Sequence, residues 1–479
     1  MKSLLQHAAD SARKGLASAS DDRWGAIGLL LLVVLILAAP GSFGGVTQEG
    51  AITIEVLAFG SAACALASVS PVQRLGFLVW PLGAMILLAL LGALQLLPLP
   101  SLVLAAISPE SARIWDDARS LLSTFDRAVL PVPRISIAPA ETVATLLLVL
   151  AYAAAFVASL RLTASRPARR ILLAALLGGA AYRILTALQG TSGEGRVSGP
   201  FVNPDHFAGW LEISIPFALA LLLLGGHRIR QALPGASQPD PGHGLEKRLA
   251  ATGGALLLWV LLGAGAYLTH SRGGMIAIVA STFVFVVLRA AAPYAYSKSL
   301  RRGLVDGVGS ALVGLVFIVI AVGREPLLRF LALDPREVGE DQRVWTWQIS
   351  VEAWKRFPVV GSGLGTFREA FRLVQPREFG GLLEQAHQDG LQLLVTGGVV
   401  GALLGSAAVL LTAAYLVRSW HTARRTEERL LGLAGLSALV SLLVHGLAEF
   451  NFSIPAIPVT LAAALGVAIA AIRWEGDQR

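Results

Sequence analysis

Apolar residues in this chain fall into blocks of about twenty, separated by polar connections, with neither a two-residue alternation nor a heptad running through them. A helix of that length crosses the roughly 30 Å hydrocarbon core of a bilayer. Twelve such stretches can be drawn, at residues 24–40, 51–70, 75–98, 141–160, 171–189, 206–226, 250–269, 273–290, 304–323, 391–417, 430–448 and 456–472. The pattern predicts an all-α integral membrane protein of about twelve transmembrane helices. Two connecting segments are too long to be turns. Within residues 99–140, Ile114, Ala118, Leu121, Leu122, Phe125 and Val129 recur at helical spacing opposite Asp116, Asp117, Arg119 and Asp126, which predicts an amphipathic helix lying on the membrane. Within residues 324–390, VWTWQISVEAWKRFP places Val344, Trp347, Val351 and Trp354 on one helical face. The plainer account of that face is an interfacial aromatic anchor.

Composition sharpens this picture. Charged residues are 15% and the AVILMFWYC set is 55%, so most of the chain cannot face water and a soluble multidomain enzyme is excluded. The single cysteine, Cys64, sits in an apolar block and makes no internal disulfide. The first residues, MKSLLQHAADSARKGLASASDDRW, lack the apolar core of a signal peptide, so the first membrane helix is expected to anchor the chain. The net charge of +8 is spread through short connections rather than gathered in a stripe, which argues for membrane topology over nucleic acid.

Orientation follows from where those cations fall. With the N-terminus inside, 23 of the 39 basic residues lie on the cytoplasmic side, and among short external connections only Arg196 and Arg272 oppose the rule. The expected layout has both ends cytoplasmic: an inner N-terminus at 1–23, helices 1–3 over 24–98, an external segment 99–140, helices 4–9 over 141–323, a large external loop 324–390, helices 10–12 over 391–472, and a tail 473–479. In this arrangement Glu55, Glu141, Arg183, Glu212, His270, Arg272, His445 and Glu449 all lie in the outer half of the bilayer or at its outer edge, with Asp306 the exception. Ionisable groups are costly there, and their clustering predicts a polar chamber opening outward. The competing account is arginines reaching headgroups from helix ends.

Three positions carry the candidate chemistry. In THSRGGMIAIVAS, Arg272 precedes Gly273 and Gly274 at a helix start, where free N–H groups, a guanidinium fork and close backbone approach suit a diphosphate; a glycine-rich turn is the bland alternative. Arg343 in EDQRVWTWQ and His387 in EQAHQDGLQLL share the large outer loop with GSGLGTF at 361–367. A histidine held neutral by nearby guanidinium groups can act as a general base, although a solvated loop histidine fits the same residues. A metal site is disfavoured, because nearby Glu384 and Asp389 complete no ligand template, and the glycines follow no strand, so a dinucleotide site is disfavoured too. The chain also has no D-x-D pair, Walker loop, H-E-x-x-H or G-x-S-x-G. Energy for any reaction must then arrive with the substrate, as it does in a lipid carrying a diphosphate leaving group.

GPFVNPDHFAGWLEISIPFALALLLL (199–224), THSRGGMIAIVAS (269–281), EDQRVWTWQISVEAWKRFPVVGSGLGTF (340–367), AHQDGLQLLVTGGVVGALL (386–404) and VHGLAEFNFSIP (444–455) together resemble the O-antigen ligase and polymerase superfamily of bacterial inner-membrane glycosyltransferases. The resemblance implies a roughly twelve-helix fold with a periplasmic cavity, in which an undecaprenyl-diphosphate-linked glycan passes to an acceptor hydroxyl with inversion and without metal or other cofactor. The acceptor is a further glycan, as in O-antigen or exopolysaccharide polymerases, or lipid A-core, as in ligases. It implies that Arg272 and Arg343 neutralise the diphosphate and that His387 takes or orients the acceptor proton. Asn203, Asp205 and His206 match the family's polar stretch before a helix, and Arg183, Glu212 and Asp389 join them as expected substrate-binding residues. Gln388, where asparagine is common, and Asp205 within the Asn203–His206 stretch depart from the family pattern and bear on subfamily. Protein O-oligosaccharyltransferases share the motifs, and a lipid-linked oligosaccharide flippase using the same arginines is the alternative from another class.

Overall fold

The computed structural model describes residues 22–68, 79–124, 131–189, 195–232, 244–291, 324, 342–377 and 383–473. Every regular element among these is helical: α1 (Arg23–Ala38), α2 (Gln48–Ala67), α3 (Val79–Gln95), α4 (Ser101–Ile107), α5 (Pro109–Ser123), α6 (Pro139–Leu162), α7 (Arg166–Gln189), α8 (Pro204–Ala232), α9 (Leu245–Leu268), α10 (Arg272–Ala291), α11 (Gln342–Arg356), α12 (Phe367–Arg372), α13 (Asp389–Thr422), α14 (Thr426–His445) and α15 (Ala456–Arg473), with a single 3₁₀ turn at Asn451–Ser453. Eleven of the twelve expected stretches fall on helices, and the twelfth, 304–323, lies outside the described residues along with Asp306. Among the described residues, eight helices (α2, α6, α7, α8, α9, α10, α13 and α14) are long and apolar enough to cross a membrane, while α1, α3 and α15 are shorter apolar helices.

Burial sorts these helices into layers. Of the most apolar window of α8, 83% is enclosed by protein, and of α14, 78%; the corresponding share in α9 is 17%. A helix that is apolar all round and enclosed is a core helix, and one that is apolar and exposed is a lipid-facing one. Phe207, Trp210 and Phe217 of α8 are fully buried in the main core, and α8 packs on α9, α14, α10, α15 and α7. Leu257 of α9 and Val279 and Phe283 of α10 point away from the bundle. Ends are fixed locally: Asp22 accepts from the Gly25 N–H (2.9 Å) to start α1, and Thr47 accepts from Gly50 (3.2 Å) to start α2.

The amphipathic elements pack on protein more than the sequence suggested. In α5, Trp115 donates from Nε1 to the Arg134 carbonyl at 2.9 Å, and Ile114 packs against the α11–α12 cluster; Leu121 is exposed, and Phe125 and Val129 lie outside the described residues. The most buried stripe of α11 is Thr346, Ile349, Ser350 and Ala353, with Trp347 and Trp354 at its edges. The expected face is therefore rotated, because small residues are what the closely packed side accepts.

The long helix α13 is broken at Gly398, whose φ of 64° and ψ of −167° are not helical. The freed groups are taken up by the chain that follows α11. The Val399 and Val400 N–H groups donate to the Pro358 and Val359 carbonyls (2.9 and 3.1 Å), and the Ser362 and Gly363 N–H groups donate to Val395 and Thr396 (both 3.1 Å). Gln95, fully buried at the end of α3, closes the joint. Its Nε2 donates to Val360 (2.7 Å) and Thr396 (3.0 Å), and its Oε1 accepts from Leu364 N–H (2.9 Å). The glycines of GSGLG thus serve the backbone: a Cβ on Gly361 would lie 2.2 Å from the Thr396 carbonyl oxygen, and one on Gly398 would lie 2.3 Å from that of Val359.

Gly398→Ala forces a residue into a region essentially reserved for glycine and onto a backbone oxygen, so it costs at least about 1–3 kcal/mol from conformation alone. Its melting temperature in detergent, or its yield of monodisperse protein, is expected to drop well below wild type. Gly178→Ala, with open space around the new methyl, is expected to melt at or above the wild-type temperature; equal melting of the two variants contradicts the joint.

Candidate functional site

At one end of the bundle, the first turns of α8 and α11, the residue two positions before the start of α13 and the α14–α15 connection converge. Asn203 starts α8 by accepting from the Asp205 N–H (2.9 Å). That turn leaves the Asp205 carboxylate to accept from Arg196 Nη2 at 3.0 Å, and Arg196 Nε donates to the Thr269 carbonyl at 2.9 Å, tying the site to the α9–α10 turn. From α11, Arg343 Nη2 is paired with Glu449 Oε1 and stands 3.9 Å from Asp205 Oδ2. The other Glu449 oxygen is 3.5 Å from His387 Nδ1. Two arginines, two carboxylates and a histidine from distant parts of the chain therefore form one row.

Exposure differs along that row. Glu449 is 2% exposed, whereas the His387 and Arg343 side chains keep 31% and 35% of their surface. The carboxylate is the fixed partner and the two cationic-type groups are the accessible ones. Burial pushes the Glu449 carboxyl up, but His387 and the charges of Arg343 and His206 outweigh it, leaving its pKa below the ordinary value. His387 has a positive φ of 51°, a left-handed conformation uncommon outside glycine that histidine enters more readily than most residues. It is held by a Trp347 Nε1 bond to its carbonyl (3.3 Å) and by edge-on packing on Phe450 at 4.8 Å. His206 packs on the same ring at 4.4 Å, with its Nδ1 3.0 Å from Asn451 Oδ1.

Arg272 opens α10, half-buried, but the glycines after it do not bare the backbone to a ligand. A Cβ on Gly273 would meet His445 at 2.8 Å, and one on Gly274 would meet Ala208 at 2.9 Å and Glu212 at 3.1 Å. The pair lets α10 press against α14 and α8, which corrects the expectation of an open approach. Beneath it lies a buried chain of polar groups: Ser271 Oγ is 3.5 Å from His445 Nε2, His445 Nδ1 is 2.8 Å from Glu212 Oε1, and Ser441 donates to Glu212 Oε2 at 3.0 Å.

Other expected residues sit elsewhere. Arg183 donates to the Leu37 carbonyl (3.2 Å) and lies against Tyr182, so its contacts are with α1 and not with the His387 row. Glu212 is committed to His445 and Ser441. Asp389 is half-buried against the α14–α15 connection: its N–H donates to Gly446 O (2.9 Å) and its Oδ1 accepts from Phe452 N–H (3.1 Å). It binds that connection to α13 and so sets Glu449 against His387. Gln388, the departure from the family pattern, caps α13 by accepting from the Leu391 N–H. Among the described residues no group of three or more His, Cys, Asp or Glu side chains is placed to hold a metal ion.

Glu449, Arg196 and Asn451 were not among the residues that sequence reasoning assigned to the site. Glu449 carried a signal, as an acidic group at a membrane edge, but nothing local pointed to Arg343, 106 positions away.

The depressed Glu449 pKa makes a stability contribution that is present above the usual carboxylate range, near 4.3 for glutamate, and is lost as pH falls through the lower folded value. Lowering pH from about 7 to about 3 is expected to reduce the wild-type melting temperature more than that of Glu449→Gln. Parallel pH curves for the two proteins would sink this assignment.

No curated protein matches the chain. Residues 256–406, which run from α9 into α13 and include Arg272, Arg343 and His387, match the family model described as O-antigen ligase. That match, on a chain with eight helices among the described residues able to cross a membrane, is a likeness to the O-antigen ligase superfamily over about a third of the sequence and supports O-antigen ligase-type membrane glycosyltransferase activity.

Proposed function

We propose that this protein transfers or polymerises a glycan carried on undecaprenyl diphosphate at the periplasmic face of a bacterial inner membrane, with inversion and without a metal. The observation that carries this reading is the row Arg196–Asp205–Arg343–Glu449–His387, with its buried carboxylate and exposed guanidinium and imidazole.

The chemistry follows from that arrangement. An acceptor hydroxyl attacks the anomeric carbon, the bond from that carbon to the phosphate oxygen breaks, and the diphosphate leaves with the electron pair. Glu449, facing His387 Nδ1, would favour the tautomer with hydrogen on Nδ1, so that Nε2 takes the hydroxyl proton and the carboxylate stabilises the imidazolium. The spacing of 3.5 Å is long for a hydrogen bond, as is common before substrate closes a site. This refines the expectation of a histidine governed by guanidinium groups, since its immediate neighbour is a carboxylate. Arg343, steadied by Glu449, presents its exposed edge to the leaving diphosphate, where a fixed guanidinium stabilises developing charge better than water does. Arg272 is the second cation for that group, and Asn203, Asp205 and His206 shape the adjoining wall.

The basic-residue count supports a topology of about twelve spans with both ends cytoplasmic, which puts this end of the bundle outside. The acceptor is either a further glycan, giving a polymerase, or lipid A-core, giving a ligase.

Reconstituted protein given an undecaprenyl-diphosphate oligosaccharide is expected to yield a ladder without added acceptor if it polymerises, and a single shifted acceptor band if it ligates. Transfer to a protein acceptor alone would move the assignment to an oligosaccharyltransferase. Donor crossing between leaflets without product would replace the proposal with a flippase. His387→Ala is expected to lower turnover by at least about a hundredfold with donor binding retained. Arg343→Lys is expected to lose most activity, because an ammonium lacks the paired donor fork. Activity is expected to survive chelator; inhibition reversed by Mg²⁺ or Mn²⁺ would overturn the metal-free step.

A further inference from the structure

The other end of α8 carries a feature that transfer chemistry does not use. Asp205 and Arg228 are separated along α8 by about 35 Å at 1.5 Å per residue, so Arg228 stands at the far side of the bundle from His387. There a cavity of about 60 Å³ opens between the start of α7, the last turns of α8 and the start of α14. Its polar lining is Arg169, Arg170, Arg228 and Glu427, and its wall is apolar, including Leu173, Leu224 and Leu431. At roughly 15 Å³ for each water, the space accommodates a group of several heavy atoms.

Three cations face one anion around this cavity. Arg228 Nη2 lies 3.6 Å from Glu427 Oε2, a loose pairing with both side chains partly exposed. Arg169 is 3% exposed and forms no ion pair among the described residues. Its Nη1 donates to the Thr163 and Ala164 carbonyls (3.2 and 2.7 Å), and its Nε has no acceptor among the described residues. Glu427 and Glu428 act on Arg169 only through space, alongside the like charges of Arg166 and Arg170, and a buried guanidinium with no paired anion is expensive unless one accompanies it. The starts of α7 and α14 add the partial positive charge of two helix N-termini.

We infer that this cavity is a binding site for a phosphate-bearing anion, held by Arg169, Arg170 and Arg228. The leucine wall beside the arginines favours an anionic phospholipid, with its phosphate at the cations and its glycerol and upper acyl carbons along the wall. Free phosphate shares the headgroup chemistry but leaves that wall unused. Glu427 competes with the ligand for Arg228.

The test uses the full-length protein, delipidated in neutral detergent, with thermal unfolding followed as phosphatidylglycerol, phosphatidylcholine or inorganic phosphate is titrated. Phosphatidylglycerol is expected to raise the melting temperature saturably, and phosphatidylcholine is not. Arg170→Gln with Arg228→Gln is expected to shift the titration midpoint at least tenfold weaker, Glu427→Gln to shift it tighter, and Arg113→Gln, an exposed arginine on α5, to leave it unchanged. A response to inorganic phosphate alone, lost in the double variant, keeps the anion site and names free phosphate as its source. If the double variant does not fold, Arg170→Gln alone, at an exposed position, carries the comparison. An equal response to phosphatidylcholine, no saturable response to any anion, or midpoints indifferent to these substitutions would overturn the inference.

Discussion

A break in an apolar helix leaves backbone groups that lipid cannot satisfy, and the charged row around His387 depends on how one such break is filled. At Gly398 the chain after α11 enters the gap, exchanges hydrogen bonds with both halves of α13, and is locked there by Gln95 from α3. The joint fixes α11 against α13, and these two elements deliver Arg343 and His387. A shift of one residue in that strap would carry Arg343 away from Glu449. The geometry of the charged row is thus inherited from a backbone joint that contains no charge.

Around that joint the polar groups are arranged in two depths. Nearest the surface, accessible cationic-type groups are steadied by a buried carboxylate. Deeper, Ser271, His445, Glu212 and Ser441 satisfy one another and hold α8, α10 and α14 together. Buried polar networks rigidify when fully paired. The deeper set uses glycines at 273 and 274 to bring α10 close, and Arg272 at the head of that helix is placed by the contact.

Much of the helical framework was legible in the sequence because twenty-residue apolar runs admit few alternatives. Arg343 and His387 stood out in the sequence through the outer-loop stretches EDQRVWTWQ and EQAHQDGLQLL, which carry the family resemblance. What remained hidden was pairing across distance. Gln95 reads as an ordinary helix end, and nothing near it announces Val360 or Thr396. Glu449 was visible as a costly residue, but not as the group that steadies Arg343. Gly273 and Gly274 were misjudged for a related reason: a glycine pair signals close approach, yet the sequence does not say whether a ligand or a neighbouring helix is approaching. Arg183, conspicuous for the same reason as Arg272, bonds the Leu37 carbonyl of α1 and lies away from the His387 row. The stripe on α11 was misplaced because tryptophans dominate a hydrophobic pattern, while the tightest surface selects serine and alanine.

The backbone of His387 has a consequence for how this protein tolerates change. A left-handed conformation costs a side-chain-bearing residue about 1–2 kcal/mol, which glycine at the same place would not incur. Glycine here would relieve that backbone cost while giving up the imidazole's contacts with Phe450 and Glu449. Selection for robustness alone, in the laboratory or under relaxed demand for product, would favour exchanging this histidine for glycine. Under the role proposed for His387, durability and chemistry pull the sequence in opposite directions at this position.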